Sequence, residues 1–125
     1  MPASYHIDTA LGVVYTVATG VTTDSDWLVH QMMLSNDPDF RPGMRHLADL
    51  REATELEMSG QGIDTAAAAD PWGVGAKRAC VAVRESVLRI VHGYEQSRSN
   101  PEDEFRVFQS MDEARAWLGL PPESK

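Results

Sequence analysis

Short apolar runs alternate along the chain with longer stretches in which apolar residues recur every three or four positions. The segments "YHID" and "GVVYTVATG" are rich in β-branched and aromatic residues, and the second is bounded by glycines, which is typical of strands. The connection between them is short enough for a hairpin, so these two strands are predicted to be antiparallel. Three further strands are predicted at "MRHLADL", "KRACVAVR" and "EFRVFQ", and "KRACVAVR" is apolar enough to lie inside a sheet.

Four helices are predicted between and after these strands. The first, in "TTDSDWLVHQMMLSND", has capping candidates in Thr23 and Asp24 and apolar residues at helical spacing. The second begins at Ser59 in "SGQGIDTAAAAD", and the third, "SVLRIVHGYEQS", places apolar residues on one face. The fourth, in "SMDEARAWLGL", starts with the capping-box pair Ser110 and Glu113 and stops at Gly119.

The predicted order of elements is β-β-α-β-α-β-α-β-α. Helices between successive strands require parallel neighbours joined by right-handed crossovers. The sequence therefore predicts an α/β fold with four helices and a mixed, mostly parallel sheet of about five strands. A length of 125 residues suits one domain. We assign this domain to residues 1–120 and expect residues 121–125 to form a frayed carboxyl-terminal tail.

The net charge of −8 at pH 7 disfavours a nucleic acid partner, because few cations are available to replace the counterions of a phosphate backbone. It also disfavours binding to anionic membrane surfaces. No apolar run is long enough for an integral membrane segment, and the first residues lack the pattern of a signal peptide, so a cytoplasmic location is expected. Cys80 is the single cysteine and is predicted to be a small buried apolar residue.

Three segments, taken in order, carry a resemblance to a known family. "VVYTVATGVTTDSD" looks like that family's second strand and the turn before its first helix. "LADLREATELEMSGQGI" looks like its third strand and the start of its signature helix, and "VFQSMDEARAWLG" looks like its last strand and closing helix. Together these segments resemble the STAS domain, the fold of bacterial anti-sigma-factor antagonists, and the SpoIIAA-like families. The resemblance covers nearly the whole chain and implies a regulatory binding module.

The resemblance also implies a phosphoserine switch, and here the sequence departs from the family. The signature is usually Asp-Ser-Ser/Thr-Gly-x-Gly, and the phosphoacceptor directly follows the aspartate. The corresponding residues are Glu57, Met58, Ser59 and Gly60, so methionine stands in the place of the phosphoacceptor. We favour Ser59 as a helix N-cap that accepts a backbone N–H. A phosphate on Ser59 would interact favourably with the helix dipole, so a switch there is the alternative.

Ligands of parallel α/β sheets collect beyond the carboxyl ends of the strands. Asp49 and Arg51 lie at the end of the third predicted strand, and Arg84 and Ser86 at the end of the fourth. The two arginines could converge with the helix starts at Ser59 and Ser86 on an anion. An ordinary set of surface ion pairs between these arginines and nearby carboxylates is the favoured interpretation.

Trp72 lies in the glycine-rich loop "PWGVG" between a helix and a strand. Packing of its ring into the core is somewhat favoured. The alternative places the ring on an exposed face near Met58, as a contact for another chain or for an apolar ligand. Met32 and Met33 have the same two interpretations, as soft filler of the core or as a pliable binding surface.

The sequence contains no recognisable catalytic or metal-binding pattern. Its four histidines are scattered without ligand spacing, so no metal and no other cofactor is predicted. "SGQG" lacks the first glycine of the nucleophile elbow, and "GVGAK" precedes a predicted strand rather than a helix, unlike a phosphate-binding loop. An enzyme is therefore the third-ranked function.

The leading hypothesis is a non-catalytic, STAS-like module that acts through protein contacts in a bacterial regulatory setting and could self-associate. The second is a binder of a small apolar or lipid-like ligand, since SpoIIAA-like families look related in fold to lipid-carrying domains of the Sec14 type. A protein-binding module should expose Ser59 and Trp72 on one face and have no internal cavity. A lipid binder should have an apolar pocket under its helices, and an enzyme a polar cleft with converging titratable groups.

Overall fold

The structure is a computed structural model that describes residues 3–68, 71–73, 75–98 and 103–123, without the side chains of residues 65–68. Parts of the alanine run, of the "PWGVG" loop and of the predicted polar loop before the last strand, and the last two residues of the predicted tail, lie outside the described residues. The described elements follow the predicted order: β1 (Ala3–Asp8), β2 (Val13–Thr23), α1 (Asp24–Ser35), β3 (Arg45–Glu57), α2 (Gly60–Ala68), β4 (Lys77–Val81), α3 (Glu85–Ser97), β5 (Glu104–Phe108) and α4 (Met111–Leu118).

The strands form one sheet in the spatial order β1-β2-β3-β4-β5. β1 is antiparallel to β2, and each later strand is parallel to the strand before it. The predicted hairpin, the mixed and mostly parallel sheet, and the interior position of β4 are therefore confirmed. Because four strands run in the same direction, their carboxyl ends lie at one edge of the sheet.

β2 and β3 are longer than the sequence predicts. The third strand is predicted only at "MRHLADL", but β3 continues through the charged segment "REATELE" as far as Glu57. Residues 52–57 pair in parallel with residues 19–23 of β2, across two register shifts. Ala53 and Leu56 of this extension are buried, while the charged side chains around them are exposed. Backbone pairing and the burial of two apolar side chains therefore outweigh the local charge pattern.

The helices cover the two faces of the sheet differently. α4 packs on one face, against β3, β4 and β5, where it covers Leu47 and Val81. On the opposite face α1 packs on β1 and β2, and α3 packs on β3 and β5. Side chains alternate along each strand, so Ala48 and Cys80 face the side of α3 while their neighbours face α4. α2 packs on α1 and α3, and therefore bridges these two helices rather than lying flat on the sheet.

Helices α1 and α4 begin at the predicted capping residues. Thr23 forms a complete capping box with Asp26, in which each side chain accepts the backbone N–H of the other residue. The Ser110 hydroxyl accepts the N–H of Glu113, and Gly119 ends α4 in the left-handed conformation with φ of 77°. The local sequence signals at these helix ends are therefore confirmed.

Ser59 is the N-cap of α2. Its Oγ accepts the backbone N–H of Gly62 at 2.9 Å and donates to the Asp24 carboxylate at 3.1 Å. The carboxylate lies so close to Gly62 that a Cβ there would be 2.1 Å from Asp24 Oδ1, so a side chain at this position would have to displace the Asp24 carboxylate. The Ser59 hydroxyl is thus engaged both as acceptor and as donor, and the favoured capping interpretation is confirmed.

We predict that Ser59→Ala lowers the free energy of unfolding by about 0.5–2 kcal/mol, because an N–H at the start of α2 loses its partner. Ser59→Asn should retain most of the stability, since an Asn side chain also caps. Ser59→Asp places a second carboxylate beside Asp24, so its stability should lie between that of the alanine variant and that of the asparagine variant. Urea denaturation of the three variants measures these differences. An alanine variant as stable as the wild type would show that the cap contributes nothing.

Candidate functional site

A cavity of about 90 Å³ lies between the sheet and the helices α1 and α3. Its walls are formed by side chains from β3, β4, β5, α1 and α3, together with the loop residues Met58 and Trp72. Most of these side chains are aliphatic or aromatic. His30, His46 and Arg78 are among the polar residues on the wall. The cavity therefore combines apolar walls with a few polar groups, which is the usual composition of a ligand site.

Two histidines on this wall share the hydroxyl group of a single threonine. Thr16 Oγ1 lies 3.0 Å from Nε2 of His30 and 2.8 Å from Nε2 of His46. The threonine is completely buried, and the two histidines are 4% and 6% exposed. Neither histidine Nδ1 has a hydrogen-bond partner among the described atoms, and both are buried. Two ring nitrogens in the interior are thus left without a partner, although burial of such groups is costly.

The protonation of both imidazoles follows from their surroundings. Burial, together with the positive charge of Arg78 as a smaller cause, lowers the pKa of His30 to about 4. Burial, Arg78 and the neighbouring imidazole hold the pKa of His46 well below its usual range. Both rings are therefore neutral at pH 7. Since the Thr16 hydroxyl has one proton, it donates to one ring and accepts from the other, so one unpartnered Nδ1 carries a proton and the other does not.

Arg78 brings a positive charge to the same wall. The residue is 4% exposed, and its Nη1 donates to the Asp103 carboxylate at 3.1 Å. Asp103 also accepts from Arg98, so one carboxylate is shared by two guanidinium groups. The Arg78 guanidinium lies over three aromatic rings, those of Trp72, Tyr94 and Phe105, at 4.9, 5.5 and 5.1 Å from the ring centroids. The carboxylate and the ring faces together stabilise a charge that is removed from water.

Trp72 is part of the core rather than of an exposed face. It is 2% exposed, and its indole stacks on the His46 imidazole with the ring centroids 4.1 Å apart. The loop turns back at Gly73, whose φ of 77° suits glycine, and so directs the ring inward. The hypothesis of an exposed surface shared by Met58, Ser59 and Trp72 is therefore wrong. Met58 and Trp72 do come together, but on the wall of the cavity.

Met32 and Met33 lie on the outer side of α1. They are 64% and 52% exposed, and Val29 beside them is also exposed. The inner side of the helix instead buries His30 and Leu34. Of the two interpretations, core filler is therefore wrong, and the methionines form an apolar patch on the surface.

Arg51, predicted at the end of a strand, lies within β3 and forms ion pairs, which is the interpretation favoured over an anion site. Arg51 pairs with Asp49 at 2.9 Å and with Glu123 at 2.7 Å, so two carboxylates occupy its guanidinium. Burial raises the pKa of Asp49, but the hydrogen bonds from Arg51 outweigh it and lower the pKa overall. Glu123 belongs to the predicted tail, and this ion pair ties that part of the tail to β3. Arg84 and Ser86 are exposed at the start of α3, where Arg84 makes no side-chain capping bond.

Four polar residues of the cavity region are not predicted from the sequence: Thr16, His30, His46 and Arg78. Neither spacing nor any motif connects them, because they come from four different elements that only the fold brings together. For the three residues on strands, Thr16, His46 and Arg78, the sequence does contain one sign of burial. Each of these lies two positions from an apolar residue that faces the helices, and a polar side chain at such a position must be buried with a partner.

Neither a metal site nor a membrane-spanning helix is found among the described residues. Among them, no group of three or more His, Cys, Asp or Glu side chains is arranged to hold a metal ion. No helix in this part of the chain has both the length and the apolar character needed to cross a membrane.

We predict that stability falls as the pH decreases from about 6.5 to about 4. In this window an unfolded histidine takes up a proton that the native protein excludes, so protonation favours unfolding; above pH 6.5 the effect vanishes. The lowered pKa of His30 corresponds to a loss of about 3 kcal/mol at the acidic end. Urea denaturation of the wild type and of His30→Gln across this range measures the effect. Identical pH dependence of the two proteins would contradict it.

Comparisons with known proteins support the fold. No protein-family model matches the sequence, and no curated protein matches it significantly. Among solved structures, the chain is similar to an uncharacterized protein of the DUF3478 family from Shewanella loihica PV-4, which is described as having a SpoIIAA-like fold. The match covers 93% of each chain, with a TM-score of 0.61 and 15% sequence identity. The chain therefore has a SpoIIAA-like α/β fold, as the sequence resemblance implies.

Proposed function

We propose that this protein is a non-catalytic binding module in which the cavity between the sheet and the helices holds a small, mostly apolar ligand. The observation that carries the proposal is the cavity itself, with apolar walls and two buried imidazole nitrogens that have no partner. Empty space costs stability, and so do unpartnered polar atoms in the interior. A bound ligand would fill this space and offset the first of these costs.

The burial of Trp72 supports ligand binding over protein contact at the start of α2. A protein-binding surface there would need an exposed Trp72, and that ring is buried. An apolar pocket under the helices was the feature expected of a ligand binder. The volume of about 90 Å³ is far below the roughly 300–1,000 Å³ of pockets for drug-sized molecules, so we propose a ligand of few atoms rather than a lipid.

The chemistry of the buried groups supports binding rather than catalysis. Burial raises the pKa of the Cys80 thiol to about 12, so it is protonated at pH 7 and is a poor nucleophile. The Thr16 hydroxyl has two histidine partners, but it is completely buried and does not line the cavity. A substrate in the cavity would therefore meet imidazole rings and not the hydroxyl group.

A second candidate function is contact with a protein partner or with a second copy of the chain. The apolar patch of Val29, Met32 and Met33 on α1 supports it, because flexible methionine side chains adapt to different partners. Such contact suits the bacterial regulatory setting and the cytoplasmic location expected from the resemblance and the composition. The cavity variant described below separates the two functions, since Ala48 is buried in the sheet and leaves this patch unchanged.

We predict that Ala48→Leu blocks ligand binding without loss of stability, because the added carbons occupy the cavity. Ala79→Leu is the matched control, since Ala79 lies on the adjacent strand and faces the closely packed side of α4. Overpacking there should cost about 1–3 kcal/mol and leave binding intact. Small alcohols, amides, carboxylic acids and aromatic compounds, titrated with methyl NMR as the readout, should shift signals of Leu50 and Val91 rather than Leu47. Absence of binding by every class would refute the proposed function.

We further predict that Ser59 carries no phosphate in native cells. Its hydroxyl is engaged in the cap, and a phosphate would lie against the Asp24 carboxylate, where like charges repel. Any binding should therefore be constitutive. Intact-mass and phosphopeptide analysis of protein from several growth conditions measures the modification. Stoichiometric phosphate on Ser59 under any condition would restore the switch.

A further inference from the structure

Among the described strands, β1 and β5 form the edges of the sheet. β5 carries the exposed charged residues Glu104 and Arg106, and such charges discourage the addition of a further strand. β1 has no acidic residue, lysine or arginine between Ala3 and Ile7. Because β1 pairs with β2 alone in the described part of the chain, alternate residues of β1 direct their backbone N–H and C=O groups away from the sheet without a strand partner.

A surface groove of about 530 Å³ follows this open edge. One wall is formed by five consecutive residues of β1, 3–7, and the other includes Met33 of α1 and the loop residues Asp37 and Asp39. Tyr5 joins the two walls, since its hydroxyl donates to the Asp37 carboxylate at 2.7 Å. A groove with a strand edge as one wall has the geometry that an extended peptide uses when it adds to a sheet.

The second wall of this groove is acidic. The bonds that Asp37 accepts from the backbone N–H of Asp39 and from the Tyr5 hydroxyl lower the pKa of its carboxyl group, so Asp37 is charged at pH 7. Among the described residues, no lysine or arginine lines the groove or forms an ion pair with either aspartate. Met33 beside them is 52% exposed. The groove therefore combines two carboxylates with an apolar side chain.

We propose that the edge of β1 binds an extended segment of a partner protein, which adds to the sheet as a further strand and carries a lysine or arginine between apolar residues. Backbone hydrogen bonds to β1 supply the affinity, and alternate side chains supply the specificity. The side chains of every second residue lie on one face of a strand, so a basic one can meet the two aspartates while its apolar neighbours contact Met33. This inference does not depend on a ligand in the cavity.

Charge favours a basic segment of another protein over a second copy of this chain. A second copy would bring a molecule of net charge −8 against the acidic wall, and like charges repel. Within β1 itself, residues 3–7 offer no lysine or arginine for Asp37 and Asp39. A basic peptide meets neither obstacle, and the attraction between its charge and the aspartates should weaken as salt is added.

The test titrates isotope-labelled protein with the end-capped peptide Thr-Val-Thr-Lys-Thr-Val-Thr, in which the lysine and both valines share one face. Binding should shift the backbone amide NMR signals of residues 3–7 and leave those of β5 unchanged. Glutamate in place of the lysine should weaken the affinity at least about tenfold. A peptide methylated on every backbone nitrogen keeps the side chains but has no N–H to donate, so it should not bind.

Several results would overturn the inference. These are no binding at millimolar peptide, equal shifts at both edges of the sheet, and equal affinities of the lysine and glutamate peptides. A free protein that is already a dimer, with residues 3–7 protected against hydrogen exchange, would show that a second copy occupies the edge and would overturn it as well. None of these results bears on the cavity, whose ligand is tested with Ala48→Leu.

Single variants locate the charge preference. Asp37→Asn and Asp39→Asn each remove one charge and keep an oxygen acceptor, and each should narrow the difference in affinity between the lysine and glutamate peptides. Glu104→Gln is the matched control, because it removes one exposed charge from the other edge strand and should leave that difference unchanged. Equal effects of all three variants would show a general influence of net charge and overturn the inference. Should Asp37→Asn fail to fold, as judged by circular dichroism, the exposed Asp39 decides.

Discussion

A guanidinium group buried in the interior constrains the arrangement around it. Arg78 projects from the middle of the sheet toward the helices, where water does not reach it. Its charge is stabilised by Asp103, which α3 and β5 hold between them at the end of their connection, and by three aromatic faces. Burial, with this charge as a second cause, lowers the pKa of His30 and of His46 and keeps both rings neutral. The ion pair, the aromatic rings and the histidines therefore form one electrostatic unit rather than separate features.

The two faces of the sheet have different consequences for function. Under α4 the strands present Leu47, Ala79 and Val81 in close packing. Under α1 and α3 the strands present small residues such as Ala48 and Cys80 together with polar ones, and space is left between sheet and helices. Small side chains such as Ala48 and Cys80, beside the helices α1 and α3, leave room for this cavity. The sheet is thus a scaffold on one face and, in the proposed function, a binding wall on the other.

The position of Met58 connects the departure from the family signature with this wall. In the resemblance, the phosphoacceptor of a surface switch stands at this position. Here the methionine side chain is partly buried and lines the cavity, while the next residue, Ser59, caps α2. Where the resemblance implies a hydroxyl that reacts at the surface, this chain has a thioether that makes an apolar contact inside. In the proposed function, the side chain at this position contacts the ligand in the interior instead of reacting at the surface.

Local signals in the sequence predicted the order of the elements, because capping residues, glycines and apolar periods act within a few residues. They failed where distant pairing decides the outcome. The segment "REATELE" is a strand because β2 lies beside it, which its own charges do not indicate. Trp72 and His46 are separated by 26 positions and stack only once the loop folds back. The polar residues of the cavity were missed for the same reason, since each looks unremarkable among its own neighbours.

The single proton of the Thr16 hydroxyl has a consequence for selectivity. When the hydroxyl turns from one imidazole to the other and each ring transfers its proton between its nitrogens, the unpartnered donor and acceptor exchange places. No heavy atom moves in this exchange. Either Nδ1 can therefore be the donor and the other the acceptor, with the rings in the same positions. In the proposed function, ligands that differ in the direction of their hydrogen bonds would be distinguished mainly by shape, which the small volume of the cavity limits.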